Sequence, residues 1–220
     1  MNAPAAVLFD MDGTLVDTEV LWWRTAEEIA ESLGHRLTDA DAPEVVGRAV
    51  EDTAAHLLRV SRRGDQDEVA LALTENFFRK VEAGAPMRPG AQRLLSLLEA
   101  EGVPFALVSA SPRVVVDSVV GGSLAHVPFA FTMSADDTPR TKPHPDPYRT
   151  AAERLGLVPE ACVAVEDSPD GAASAEAAGC GLLIVPSLLL VPSSPRRTFV
   201  NSLEEVTPAL LRDCLAGAPS

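Results

Sequence analysis

Apolar residues gather into short, nearly unbroken runs at residues 5–10, 105–109, 130–133, 162–166 and 181–185. A half-buried strand alternates apolar with polar positions, whereas an unbroken run suits a parallel strand covered on both faces. Between these runs the apolar positions recur at helical spacing, over residues 91–101, 113–120, 147–155 and 171–178. Gly102, Gly156 and Gly179 follow three of those segments, where a left-handed residue closes a helix. Strands alternating with helices predict an α/β protein with a doubly wound parallel sheet. The proline-, serine- and leucine-rich stretch 186–197 reads as an irregular loop before a final short strand and helix, and residues 216–220 as a loose end.

One connection is too long for this scheme. Roughly 90 residues separate the first run from the second, while a βαβ unit takes about 30. The surplus carries a helical pattern. Residues 18–33 form an amphipathic helix capped by Thr18 and closed by Gly34, 50–63 and 66–81 form two more, and 38–46 is a weaker fourth. A small helical domain is therefore expected over 17–85, inserted into an α/β core made of 1–16 and 86–220. Pro86, Pro89 and Gly90 mark the return.

Composition narrows the function. Hydrophobic residues make up 46% of the 220 residues and charged residues 23%, an ordinary balance for a chain that buries a core. The net charge of −14 argues against nucleic acid as a partner, which needs a concentrated basic surface. No apolar run approaches the ~18 residues of a membrane span. The first residues carry no basic segment or cleavage site of a secretory signal, and Cys162, Cys180 and Cys214 have no metal-knuckle spacing. A cytoplasmic monomer with reduced thiols is the expectation.

Four polar features stand at the carboxyl edge of the predicted sheet, where open α/β sheets bind ligands. Asp10-Met11-Asp12-Gly13-Thr14 follows the first strand, Ser109 ends the second, Thr141-Lys142-Pro143 precedes a helix, and Glu166-Asp167-Ser168 ends the fourth. Alone, the Asp pair is turn chemistry, Ser109 a helix cap and Lys142 a solvated charge. Together they suit phosphate-ester hydrolysis, whose uncatalysed rate is so low that enzymes accelerate it by up to ~10²¹-fold. Asp10 can attack phosphorus as a carboxylate nucleophile and split the reaction into two easier steps. Two anions meet in that attack, so a cation is required. Oxygen ligands from Asp10, Asp167 and the backbone of Asp12 suit Mg²⁺. Lys142, the Ser109 hydroxyl and the backbone amides beside it, Ala110 among them, can hold the phosphoryl oxygens. Asp12 lies within reach of the leaving oxygen as general acid, then base.

These residues resemble the motifs of the haloacid dehalogenase superfamily. The stretch from Asp10 to Glu19 is similar to the first motif of its members with an inserted helical cap. Ser109, Lys142 and Glu166-Asp167 match the other three, and Val165-Glu166-Asp167-Ser168-Pro169-Asp170-Gly171 resembles the beta-phosphoglucomutase-like and sugar-phosphatase branch. The resemblance implies a Rossmann-like core with a cap and a Mg²⁺-dependent phosphatase acting on a small phosphate ester, such as a sugar phosphate. It further implies that Asp10 is the nucleophile and Asp12 the acid/base. Asp10, the Asp12 carbonyl and Asp167 would hold the metal with Glu166 in support, and Ser109 and Lys142 would hold phosphate.

Other chemistries of the family fit less well. A dehalogenase needs neither metal nor Asp12, and a phosphonatase needs a cap lysine for which Lys80 is the sole candidate. Beta-phosphoglucomutases resemble the chain at Thr18, but carry a histidine where Trp22 stands. Their basic cap loop is here Val46-Gly47-Arg48-Ala49-Val50, with one basic residue. A phospho-receiver domain, the alternative from another class, has no use for Asp12 or the inserted helices. Thr18, Trp22 and Arg48 are the candidate substrate contacts of the helical segment, although Trp22 and Trp23 equally suit its core. His35, His56, His126 and His144 receive no role.

Overall fold

The structure is a computed structural model and describes residues 4–46 and 48–216. Gly47 of the loop singled out above and residues 217–220 lie outside the described residues. The chain divides into two compact units, one of residues up to Val16 together with those from Pro86 onward, the other Asp17–Ala85.

The first unit is built on six strands: β1 (Ala6–Phe9), β2 (Phe105–Val108), β3 (Thr132–Met133), β4 (Cys162–Glu166), β5 (Gly181–Ile184) and β6 (Arg197–Phe199). All pairings are parallel and the order is β3-β2-β1-β4-β5-β6. Strand order reverses beside β1, which is the place where such sheets bind ligands. Each of β1, β2, β4 and β5 is buried throughout, as their unbroken apolar runs require. Alternate residues divide between the faces. Leu8, Val108, Ala164 and Ile184 pack on one side with Tyr148 and Ala151 of a helix at Asp146–Arg154 and Ala172 and Ala175 of another at Pro169–Ala178. On the other face Phe9 meets Phe105 edge to face, and Phe105 meets Phe129 likewise. β3 is shorter than its apolar run: Ala130 and Phe131 still exchange backbone hydrogen bonds with Phe105 and Leu107, but the ladder begins only at Thr132. All three cysteines are free and buried.

The second unit consists of α1 (Thr18–Ser32), α2 (Val50–Ser61) and α3 (Gln66–Ala83). Its first helix is capped by Asp17, whose carboxylate accepts the amide of Val20; Thr18 is the first helical residue and is buried. This corrects the cap expected at Thr18. The N-cap lies one residue earlier because a carboxylate there reaches the third amide of the helix. The weak fourth helix is a 3₁₀ segment, Asp39–Glu44, containing Pro43, which has no amide to donate to an α-helical turn.

Trp22, Ala26, Ala30, Val45, Leu57, Val69 and Leu73 make a core belonging to this unit alone. Trp22 stands edge to face on Phe77, with ring centroids 5.4 Å apart, and donates its indole N–H to the Val45 carbonyl at 2.9 Å. His56, also buried, bridges Asp41 and Arg59. Arginine can only donate, so Nδ1 accepts and Nε2 carries the proton to Asp41. Among the described residues no helix is long and apolar enough to cross a membrane.

Because Trp22 serves this core through both ring and N–H, Trp22→Phe removes the 2.9 Å bond to the Val45 carbonyl and leaves it the longer one from the Arg48 amide at 3.4 Å. The variant should lose about 1–3 kcal/mol of unfolding free energy, read as a lower urea midpoint by circular dichroism. An unchanged midpoint would contradict the packing role.

Candidate active site

The parallel register delivers the polar groups to one edge. Phe9 lies opposite Leu107 on one side and Val165 on the other, so Asp10, the residues after Val108, and Glu166 emerge side by side. The Asp10 amide continues the ladder by donating to the Val165 carbonyl, and the Ser109 amide donates to Met133. After Asp10 the chain turns sharply: the amides of Leu15 and Val16 both donate to the Met11 carbonyl, and that of Gly13 to Val16. Gly13 has φ +80°, and a Cβ there would lie 2.1 Å from Oδ2 of Asp167. Only glycine lets the loop carrying Asp12 close down on that carboxylate.

Lys142 provides the positive charge. Its ammonium lies 2.8 Å from Oδ1 of Asp10 and 2.6 Å from Oε1 of Glu166, and all three residues are buried. Burial alone would lower the lysine pKa, but Asp10 and Glu166 reverse the effect and hold it above its ordinary value. Beneath this pair Tyr148 is fully buried. Its hydroxyl donates to Oε1 of Glu166, and its ring lies 5.1 Å from the Lys142 ammonium. Ser168, which caps the helix at Pro169–Ala178, donates to Oε2 of Glu166. That helix begins so close that a Cβ on Gly171 would fall 1.9 Å from Oε2. Glu166 is thus fully enclosed and hydrogen-bonded at both oxygens.

The remaining carboxylates are not balanced. Asp10, Glu166 and Asp167 each offer an oxygen within 4.8 Å of the others. Oδ2 of Asp10 is buried without a hydrogen-bond partner. Burial, with the charges of Asp10, Glu166 and Asp12, pushes the Asp167 carboxyl up to about 8 against a weaker opposing pull from Lys142. An orphaned carboxylate oxygen beside a carboxyl that resists ionisation is what a hard, oxygen-seeking cation would relieve. The donor set fits Mg²⁺.

Asp12, half-buried, turns toward β2. Its Oδ2 accepts the Ser111 hydroxyl at 2.7 Å and the Ser109 hydroxyl at 3.4 Å, and Ser109 in turn accepts the Ser111 amide at 2.9 Å. Asp10, Asp12, Ser109, Lys142, Glu166 and Asp167 therefore converge, with Ala110 exposed next to Ser109. The candidates of the helical unit are described within that unit. Thr18 is buried at the start of α1, Trp22 belongs to that unit's core, and Arg48 is exposed with its Nε bonded to the Pro43 carbonyl. Two residues of the site escaped the reading of the sequence. Ser111 stands two positions after Ser109 and looks like loop polarity, while Tyr148 has the spacing of an ordinary core residue of an amphipathic helix.

The chain matches the haloacid dehalogenase-like hydrolases over residues 4–179. It belongs to that family. The chain is 30% identical over 215 residues to hexitol phosphatase B of Escherichia coli O157:H7, the match spanning 96% of each. A HAD family hydrolase from Deinococcus radiodurans R1, solved with bound phosphate and sodium, is 29% identical with a TM-score of 0.75, over 98% of this chain and 96% of that one. A candidate beta-phosphoglucomutase from Thermotoga maritima gives a TM-score of 0.81 at 24% identity over 94% of this chain and 98% of that one, a likeness of fold. With this membership and these relatives the chain is a phosphoric monoester hydrolase of the sugar-phosphatase branch.

The unbalanced acids make a stability prediction. A free aspartate titrates near 3.8 and Asp167 near 8, so between those values the folded chain binds protons that the unfolded chain has released. Stability in chelator should therefore fall as pH rises through that window. Asp167→Asn should flatten the slope and raise the melting temperature at pH 8 by a few degrees. Thermal melts at pH 5 and pH 8 in EDTA check this; a wild-type chain more stable at pH 8 would refute it.

Proposed function

We propose that the chain hydrolyses a small sugar or sugar-alcohol phosphate through an aspartyl-phosphate on Asp10, with Mg²⁺ as cofactor. The observation that carries this reading is the buried, unpaired Oδ2 of Asp10 beside the high-pKa carboxyl of Asp167. It identifies a place where anionic oxygen is concentrated and positive charge is in demand. Asp10, Asp167 and the Asp12 carbonyl would hold the metal, which when bound offsets the charge of the meeting carboxylate and phosphate.

Each residue then has a task. Lys142, fixed between Asp10 and Glu166, orients the nucleophile and presents a donor to a phosphoryl oxygen. Ser109 and the amide of Ala110 take the others. Asp12 gives a proton to the departing oxygen and takes one from the water that attacks the phosphoenzyme; microscopic reversibility assigns both steps to the same carboxyl. Glu166, locked by Lys142, Tyr148 and Ser168, supports the metal site without joining the chemistry. The inserted unit, residues 17–85, is read as a cap that shields the reaction, with Thr18 and Arg48 as its candidate contacts; the protein is read as a cytoplasmic monomer.

Water rather than a sugar hydroxyl is read as the second acceptor. Trp22 stands where a mutase would carry histidine and is engaged by Val45 and Phe77, and a relative matched over 96% of its own length carries the name of a hexitol phosphatase. A phosphomutase is the second reading, favoured by the likeness of fold to the Thermotoga protein.

Incubation with hexitol and hexose phosphates in Mg²⁺ should release phosphate in stoichiometric amount, and excess chelator should stop it. Net isomerisation without free phosphate, assayed with a trace of sugar bisphosphate, would establish the mutase instead. Full activity in chelator would remove the metal from the mechanism.

Asp10→Asn keeps the shape of the side chain but not its nucleophilic charge. Turnover should fall by at least about 10³-fold, and mass spectrometry should find no phosphoenzyme. A rate within about tenfold of wild type would place the nucleophile elsewhere.

A further inference from the structure

Resting on the phosphatase reading, we propose that Ser111 is a positioning residue for Asp12, its hydroxyl pinning Oδ2 so that the carboxyl works through its other oxygen. The hydroxyl lies 2.7 Å from Oδ2, closer than that of Ser109 at 3.4 Å. Ser109 is assigned to phosphate in the reaction, and its hydroxyl turns to the phosphoryl group when substrate binds. Ser111 is then a donor that stays with Asp12.

The backbone around Ser111 is built for a fixed point. Its amide donates to Oγ of Ser109 at 2.9 Å, and its carbonyl accepts the amide of Ala135 at 2.9 Å. Serine before a helix ordinarily caps it, but the helix at Arg113–Gly121 starts from Pro112 and uses no side-chain cap. The hydroxyl is spent on Asp12 instead.

Chemistry follows from the donor sense. An oxygen that accepts a hydroxyl proton acts as the carbonyl oxygen of the acid, so the transferable proton sits on Oδ1. In the first step the bond from phosphorus to the leaving oxygen breaks, phosphorus bonds to Asp10, and the proton passes from Oδ1 of Asp12 to the departing oxygen. In the second step water oxygen bonds to phosphorus, the bond to Asp10 breaks, and the water proton returns to Oδ1. A carboxyl held less firmly at Oδ2 would offer its proton in the wrong direction part of the time, and misplacement of about 1 Å costs on the order of 10²-fold in rate.

The test uses the leaving group. For sorbitol 6-phosphate, whose alkoxide must be protonated, Ser111→Ala should lower kcat/KM by about tenfold to a hundredfold. For 2,4-dinitrophenyl phosphate, whose phenolate leaves unaided, the change should stay within about threefold. Ser111→Thr, which keeps the hydroxyl, should restore most of the alkyl-ester rate. Ser111→Cys, close in size with a weak donor, should follow alanine, so the pattern is readable even if the alanine variant folds poorly. Equal losses on both esters would make Ser111 a phosphate ligand or a merely structural residue, and unchanged rates on both would make it irrelevant; either result overturns the proposal. Wild-type protein that releases phosphate from neither ester would bring down the phosphatase reading with it, a failure distinct from lost selectivity among the variants.

Discussion

The Lys142 ammonium, buried between Asp10 and Glu166, is the contact on which the site depends. Carboxylates from two adjacent strand ends converge there, and the ammonium hydrogen-bonds to an oxygen of each. Removing one partner of such a pair typically costs about 3–5 kcal/mol because the other charge is stranded. The arrangement nonetheless stops short of neutrality. Lys142 satisfies Glu166 and one oxygen of Asp10, but leaves Asp167 with a pKa near 8 and Oδ2 of Asp10 unpaired. That residual imbalance is what suits the place to the cation of the proposed reading, where a structural ion-pair network would balance its charges.

Holding these charges together calls for close backbone approach at two points. Gly13 lets the turn after β1 press on Asp167, and Gly171 lets a helix start against the Glu166 carboxylate, where a methyl group would overlap its oxygens. Around them the parallel register places one acidic strand end beside another, and Tyr148 closes the underside by offering Glu166 a hydroxyl and Lys142 a ring. Groups that take no part in the proposed chemistry thus decide the orientation of those that do.

The difference between hydrolysis and group transfer rests on other parts of the chain. Asp12, with Ser109 and Ser111 on the same oxygen, has the equipment for proton transfer in either reaction. In the proposed reaction the acceptor would be set by what surrounds a phosphoenzyme; within the helical unit Trp22, at the position where the mutases that resemble this chain have an ionisable ring, belongs to a hydrophobic core. Asp41, His56 and Arg59 likewise satisfy one another inside the helical unit.

Much of this was legible in the sequence. Unbroken apolar runs announced buried parallel strands, since a strand covered on both faces has no polar side to reveal. Four short motifs announced the site, since charged residues at strand ends are expensive to bury without a purpose. Local pattern was less informative at element ends, where the choice of Asp17 over Thr18 as cap and the 3₁₀ turn around Pro43 turn on single hydrogen bonds. Tertiary structure alone decided that Trp22 spends its N–H on Val45, that Tyr148 braces Glu166, and that Ser111 reaches Asp12. Each of those contacts joins residues between 18 and 99 positions apart. Periodicity records which face of an element is buried, but not which distant polar atom a buried side chain will meet there.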